Sequence, residues 1–242
     1  MPKGEMHPMA VMTTRSRIGR LRYHGLFHGS TRVAGALVCV ALVFSVLAWP
    51  ADSGQTTDGF NDLFARVAAR RTSLTSIRAR FTETTQSTLL QRPLVAHGTI
   101  VGAPPTRVLM NYDDPERRVV AIDATQMVLA WPDRGQRETV YIAATQKRIA
   151  QYFTNASADR LRALFAITVR PGARPSLVDV EMVPRRKQLQ QGLAKLELSV
   201  NRETLLLEGL QMTFASGDVK TITLTDIVVN EPVSDEMFRV AP

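Results

Sequence analysis

From Leu193 to Asn201 the chain alternates strictly. Ala194, Leu196, Leu198 and Val200 stand on one side, and Lys195, Glu197, Ser199 and Asn201 on the other. Successive side chains of a strand point to opposite faces, so this pattern describes a strand with one packed face and one wet face. Two further runs, Leu206 to Ala215 and Val219 to Val229, follow directly, joined through Ala215-Ser216-Gly217-Asp218. Turns this short connect only antiparallel strands. Any fold of this chain therefore contains an antiparallel meander buried on one face.

The same period governs the middle of the chain. Arg78 to Gln86 is threonine-rich and alternates weakly, and Leu94 to Val101 is a strand with Pro93 at its start. In Arg107 to Asp113, Val108, Met110 and Tyr112 share one side, while Leu109 breaks the otherwise polar side. Short strands are predicted at Val119 to Ile122, Met127 to Trp131 and Thr139 to Ala143, with Asp133-Arg134-Gly135 as a hairpin tip.

Two segments carry the helical period instead. Phe60, Leu63, Phe64, Val67, Ala68, Leu74 and Ile77 recur at three- and four-residue spacing. They predict an amphipathic helix from Phe60 to Ile77, with Asp58 as N-cap and Arg66, Arg70 and Arg71 on its polar face. Tyr152 to Ile167 leaves the alternation; within it Ala158 to Leu164 has helical spacing behind a capping Ser157, and Pro171 to Pro175 is a loop. A sheet of this many strands curls or closes. The expected class is α+β: a curled antiparallel sheet, a half-open β-barrel, with an N-terminal helix and further helices forming a lid.

The chain has 242 residues and a formal charge of +8, which invites a nucleic-acid or membrane reading. Location removes most of that charge. Lys3, Arg15, Arg17, Arg20, Arg22 and Arg32 face only Glu5 within residues 1–51, leaving +3 for the remainder. The basic stretch leads into Val33 to Trp49, 17 residues without a charge. A basic region followed by an apolar one is an export signal. Cleavage after Ala48 and retention as a membrane anchor are both compatible with that length. Met9 and Met12 are alternative starts. Cys39, the one cysteine, follows Val38 rather than the small residue that lipidation requires, so it reads as part of the apolar segment. Residues 1–51 are then leader or anchor, 52–59 a polar linker, and 60–242 one exported domain.

Little catalytic chemistry is on offer. His97 is the one histidine beyond the leader, no Gly-x-Ser-x-Gly elbow occurs, and no thiol remains after Cys39. Zinc sites generally need two or more His or Cys ligands, and only His97 is available; no phosphate-binding glycine loop is present. No cofactor, metal or enzymatic activity is expected. Asp113 and Asp114 are adjacent on a strand, point to opposite faces and end it at Pro115, so they are not a catalytic pair. Asp179 and Glu181 lie on a solvated face. Arg185, Arg186 and Lys187 are the tightest basic cluster, on a loop, suited to solvent or to an anionic headgroup or partner. No aromatic residues interleave with the charges, and an exported domain is in the wrong compartment, so nucleic acid is not an expected partner.

The inside of a curled sheet remains. Val, Leu, Ile, Met and Ala dominate it, and such side chains suit either a filled core or a cavity for a flexible apolar ligand.

Four stretches also match a known pattern. They are Leu74 to Glu83 (LTSIRARFTE), Gly98 to Val101 (GTIV), Gly102 to Pro115 (GAPPTRVLMNYDDP), and the ending from Gly217-Asp218 through Asn230 to Val233-Ser234-Asp235-Glu236-Met237-Phe238. In these the chain resembles the LolA family, periplasmic carriers that ferry lipoproteins between the membranes of Gram-negative bacteria. Pro104 stands where the family has an arginine, Val108 where it has Phe and Met110 where it has Trp. Phe81-x-Glu83 with Arg92-Pro93-Leu94 is closer to divergent LolA-related proteins. The resemblance implies a monomeric, non-enzymatic periplasmic carrier of lipoprotein or other lipid acyl chains. Its partners would be an inner-membrane exporter and an outer-membrane acceptor. The implied cavity wall is Phe81, Val108, Met110, Tyr112, Leu196, Leu198, Met212 and Phe214. The alternative is a membrane-anchored periplasmic interaction module with a filled core and no lipid cargo.

Overall fold

The computed structural model describes residues 59–104, 106–144 and 157–239. The leader, residues 52–58 of the linker, the Asp58 cap and the anchor question lie outside the described residues, and Gly59, expected as the last linker residue, opens the first helix. Helix α1 spans Gly59–Thr72. Strands β1 (Ile77–Gln86), β2 (Leu94–Ala103), β3 (Arg107–Asp114), β4 (Arg118–Ile122), β5 (Gln126–Trp131) and β6 (Gln136–Tyr141) follow. Helix α2 (Ala158–Leu164) leads into β7 (Phe165–Pro171) and β8 (Leu177–Pro184). A one-turn helix, α3 (Lys187–Gln190), precedes β9 (Leu193–Asn201), β10 (Leu207–Phe214) and β11 (Val219–Val229).

All eleven strands form one antiparallel sheet in the order β6-β5-β4-β3-β2-β1-β11-β10-β9-β8-β7. Two meanders, β1–β6 and β7–β11, are joined where β11 returns to pair with β1, Phe81 lying opposite Leu224. Strands β6 and β7 are the free edges, so the sheet curls without closing, as expected from the alternating pattern. The pairings β1–β11, β2–β3 and β9–β10 each carry a register shift. An extra residue bends and twists its strand, which is how a long sheet gains curvature.

One face carries the main core. Ala79, Phe81, Ile100, Met110, Leu196, Leu198, Met212 and Ile222 belong to one packed cluster with Phe60, Phe64 and Ala68 of α1 and Leu161 and Leu164 of α2. The helices thus lie on the inner face, their apolar stripes toward the sheet. Ser157 caps α2 by accepting from the Arg160 amide at 3.2 Å, as its sequence predicts.

Beyond shifts of one or two residues at other ends, two boundaries and one whole strand differ from the sequence reading. The first helix ends at Thr72, not Ile77. Leu74 and Ile77 are buried as the helical period requires, but Ile77 is already paired with Gly102 and Val229. The intervening turn is clipped from the far end of the chain: Asn230 Oδ1 accepts from the Thr75 amide at 2.8 Å, and Asn230 Nδ2 donates to the Ser73 carbonyl at 3.1 Å. The sixth strand starts at Gln136, earlier than Thr139, because Gly135 in the left-handed region (φ 59°) turns the chain immediately after Pro132–Arg134. Strand β7 was not legible as a strand. Its alternation runs Phe165, Ile167, Val169 directly out of a helix, with no turn residue between.

Leu109, the apolar exception on a polar face, has a structural explanation. With Ala121 and Val128 it forms a second cluster on the outer face, against which Phe238 packs. Arg107 pairs with Asp235, and its guanidinium lies 4.9 Å from the Phe238 ring centroid. The 3-10 turn Asp235–Phe238 therefore closes over the back of β3–β5.

Candidate functional site

The wall residues expected from sequence converge on the inner face. Phe81 comes from β1, Val108, Met110 and Tyr112 from β3, Leu196 and Leu198 from β9, and Met212 from β10. Each of these seven is 5% exposed or less. Phe214, at the end of β10, is half-buried against the same cluster. Strands β1 and β3 are not neighbours, yet the Phe81 and Tyr112 rings meet edge-to-face with centroids 4.9 Å apart. Gly98 of the intervening β2 makes this possible. A Cβ there would stand 2.0 Å from the Asn111 carbonyl oxygen and 2.9 Å from Phe81 Cζ. The glycine is required by close approach, not by its dihedral.

Toward the end of the sheet where β1 stops and β11 starts, this face changes character. Glu83 follows Phe81 in phase and is 6% exposed. Its carboxylate accepts from Lys220 Nζ at 2.8 Å and from the Tyr112 hydroxyl at 2.9 Å. Arg118, paired with Tyr112 across β3–β4, places its guanidinium 4.0 Å from the Tyr112 ring centroid. The Arg118 Nε is buried and has no hydrogen-bond partner. Two cations thus surround one carboxylate.

Burial on its own would raise the Glu83 pKa. The Lys220 ammonium, the Arg118 charge and the Tyr112 hydrogen bond outweigh it and hold the carboxyl below its ordinary range. Tyr112 is pushed far up, first by burial and then by the Glu83 charge, so it remains a hydroxyl donor. This is a fixed-charge group rather than an acid–base pair. The sequence reading did not single out Glu83 as a site, and it missed Lys220 and Arg118. The available signal was phase: Glu83 continues Ile77, Ala79 and Phe81, and Lys220 precedes Ile222 and Leu224, so both charges fall on the buried side.

The other candidates are surface features. His97 is exposed, its Nδ1 3.1 Å from Thr82 Oγ1. Asp113 and Asp114 are exposed at the end of β3. Asp179 accepts from Ser199 at 2.6 Å, and Glu181 pairs with Arg170 and Lys195, as on a solvated outer face. Arg185, Arg186 and Lys187 are exposed between β8 and β9. Pro104 is exposed in the β2–β3 turn.

The family model for the outer membrane lipoprotein carrier protein LolA matches residues 72–241, from the end of α1 through the last strand. No curated protein matches the chain. Among solved structures, an uncharacterized conserved protein from Thermus thermophilus is 12% identical with a TM-score of 0.48, over 76% of this chain and 95% of that one. The Mycobacterium tuberculosis lipoprotein LppX is 9% identical with a TM-score of 0.46, over 74% of this chain and 99% of that one. A LolA superfamily protein from Nitrosomonas europaea is 8% identical with a TM-score of 0.35, over 84% of this chain and 96% of that one. With a family match that spans the whole sheet, the chain belongs to the LolA family of outer membrane lipoprotein carrier proteins.

Proposed function

We propose that this protein is an exported, periplasmic carrier that shields acyl chains of a lipoprotein or another lipid on the inner face of its curled sheet. The carrying observation is the continuous apolar face contributed by β1, β3, β9 and β10 inside a sheet that does not close. Each methylene taken from water there is stabilised by about 0.8 kcal/mol. A long acyl chain therefore binds without any covalent chemistry. Transfer follows when an acceptor offers a tighter apolar surface, so the carrier itself needs no energy source. An inner-membrane exporter and an outer-membrane acceptor are the partners this reading requires. The helices α1 and α2, whose apolar residues share the cluster, are the elements that must yield to admit a chain.

One observation favours a second reading. Seven of the eight wall residues, all but Phe214, are 5% exposed or less and share one packed cluster with residues of α1 and α2, as in a filled core. An interaction module with that core would bind partner proteins and no lipid.

Native mass spectrometry of the full chain, expressed with its own leader and recovered from a periplasmic fraction, separates the two. A co-purifying acyl-chain adduct supports the carrier and identifies the cargo. A bare protein mass that also takes up no added lipoprotein or fatty acid leaves the interaction module. The same spectrum reports whether residues 1–48 have been removed.

A further inference from the structure

Four strands share one arrangement at the end of the sheet where β1 stops. On β1, Glu83 is followed inward by Phe81, Ala79 and Ile77. On β11, Lys220 is followed by Ile222 and Leu224. On β3, Tyr112 is followed by Met110 and Val108, and on β4, Arg118 by Val120 and Ile122. Every apolar residue in these series is 8% exposed or less. The inner face therefore has a charged end and an apolar length. From Glu83 to Ile77 that length is about 20 Å of strand, the span of an extended hexadecanoyl chain.

The charged end is not balanced within itself. Glu83 is satisfied by Lys220 and Tyr112. Arg118 forms no ion pair among the described residues, touches the Tyr112 ring face and leaves a buried Nε without an acceptor. A buried guanidinium N–H without an acceptor is costly, and an anionic oxygen is the group that satisfies it best. Lys220, its side chain 17% exposed, lies on the other flank of Glu83 and reinforces the positive field.

Resting on the carrier reading above, we propose that Arg118, with Lys220 behind it, is a headgroup subsite that selects amphiphiles with an anionic head, a carboxylate or a phosphate monoester. The acyl chain runs from this subsite along Phe81, Met110 and Ile222. Glu83 and Tyr112 position the two cations and do not touch the ligand.

The test is equilibrium binding to the full-length protein of three probes that share one chain: palmitate, 1-palmitoyl lysophosphatidic acid and neutral 1-monopalmitoylglycerol. Inorganic phosphate is the control for a free anion. Both anionic probes are expected to bind about tenfold or more tightly than the neutral one. Arg118→Gln is expected to remove that preference, bringing palmitate and lysophosphatidic acid to the affinity of monopalmitoylglycerol measured on the same variant. Arg118→Lys, which keeps the charge, retains part of it and guards against a folding artefact. Palmitate and lysophosphatidic acid, compared with each other, identify which head the site takes. Equal binding of all three probes, or a preference that survives Arg118→Gln, overturns the subsite and leaves the carrier reading standing. Binding of none of the three removes the carrier reading and the subsite with it. Thermal protection by inorganic phosphate alone, equal to that by lysophosphatidic acid, assigns the site to a free anion and overturns the amphiphile.

Discussion

The Tyr112 hydroxyl of β3 reaches across β2 and donates to Glu83 Oε2 of β1 at 2.9 Å. The contact passes over Ala96 and Gly98, the small inner-face residues of the strand between. With Lys220 on the far side of the carboxylate, three strands that are distant in sequence are joined by one buried charge. Removing one partner of such a group leaves an uncompensated buried charge, whereas removing both does not. Lys220→Met is expected to destabilise by about 3 kcal/mol. Glu83→Gln with Lys220→Met should recover a large part of that loss. Urea unfolding of the two single variants and the double variant closes the cycle. Additive losses would show that the two side chains do not interact.

Acid should weaken the fold through the same carboxylate. The folded Glu83 pKa lies below its unfolded value, which is ordinary at about 4.3. The unfolded chain then binds the proton first. The stabilisation is fully present above that ordinary value and disappears as pH falls through the lower folded one. Unfolding free energy measured from pH 6 to pH 3 should drop more steeply for the wild type than for Glu83→Gln. Parallel curves would place the acid sensitivity elsewhere.

Gly98→Ala should be among the most damaging single-methyl additions in the chain. The new Cβ meets the Asn111 carbonyl, which is backbone and cannot rotate away, as well as the Phe81 ring. A loss of about 3 kcal/mol or more is expected. Near-UV circular dichroism should report the displaced Tyr112 ring. A variant as stable as wild type would mean that β2 and β3 separate freely.

Asn230 ends β11 in the left-handed region, at φ 63°, and its side chain holds the Ser73–Ser76 turn by bonds to the Thr75 amide and the Ser73 carbonyl. Asn230→Ala loses these bonds, and the longer one from the Thr75 hydroxyl at 3.3 Å, and keeps the unfavourable dihedral, for a cost of about 2 kcal/mol. Asn230→Gly relieves the dihedral but not the bonds and should cost less than Ala. Hydrogen exchange at Thr75 should quicken in both. The order of the two variants separates strain from hydrogen bonding.

The meander from Leu193 to Val229 was legible because strict alternation has a single structural meaning when one face is buried. The inward phase of Val108, Met110 and Tyr112 could be read for the same reason. The end of α1 could not. Leu74 and Ile77 satisfy a helical period by coincidence, and the clip that stops the helix comes from Asn230, more than 150 residues away. Strand β7 was hidden because only its pairing with β8 distinguishes it from an irregular segment.

The wall and the polar end divide along the same line. Which residues face inward follows from a period of two, a local property of the chain, so the sequence alone determined Phe81, Met110, Leu198 and their companions. The same period puts Glu83 and Lys220 in phase with the buried residues, although the sequence reading did not pick them out. That these charges meet is a property of the tertiary structure. It arises because β11, the last strand, returns to pair with β1, the first. It also needs two small residues on β2, which let Tyr112 bring Arg118 to the same carboxylate. Charge burial is decided by such long-range neighbours, since an inward charge is tolerable only where distant strands supply its partner.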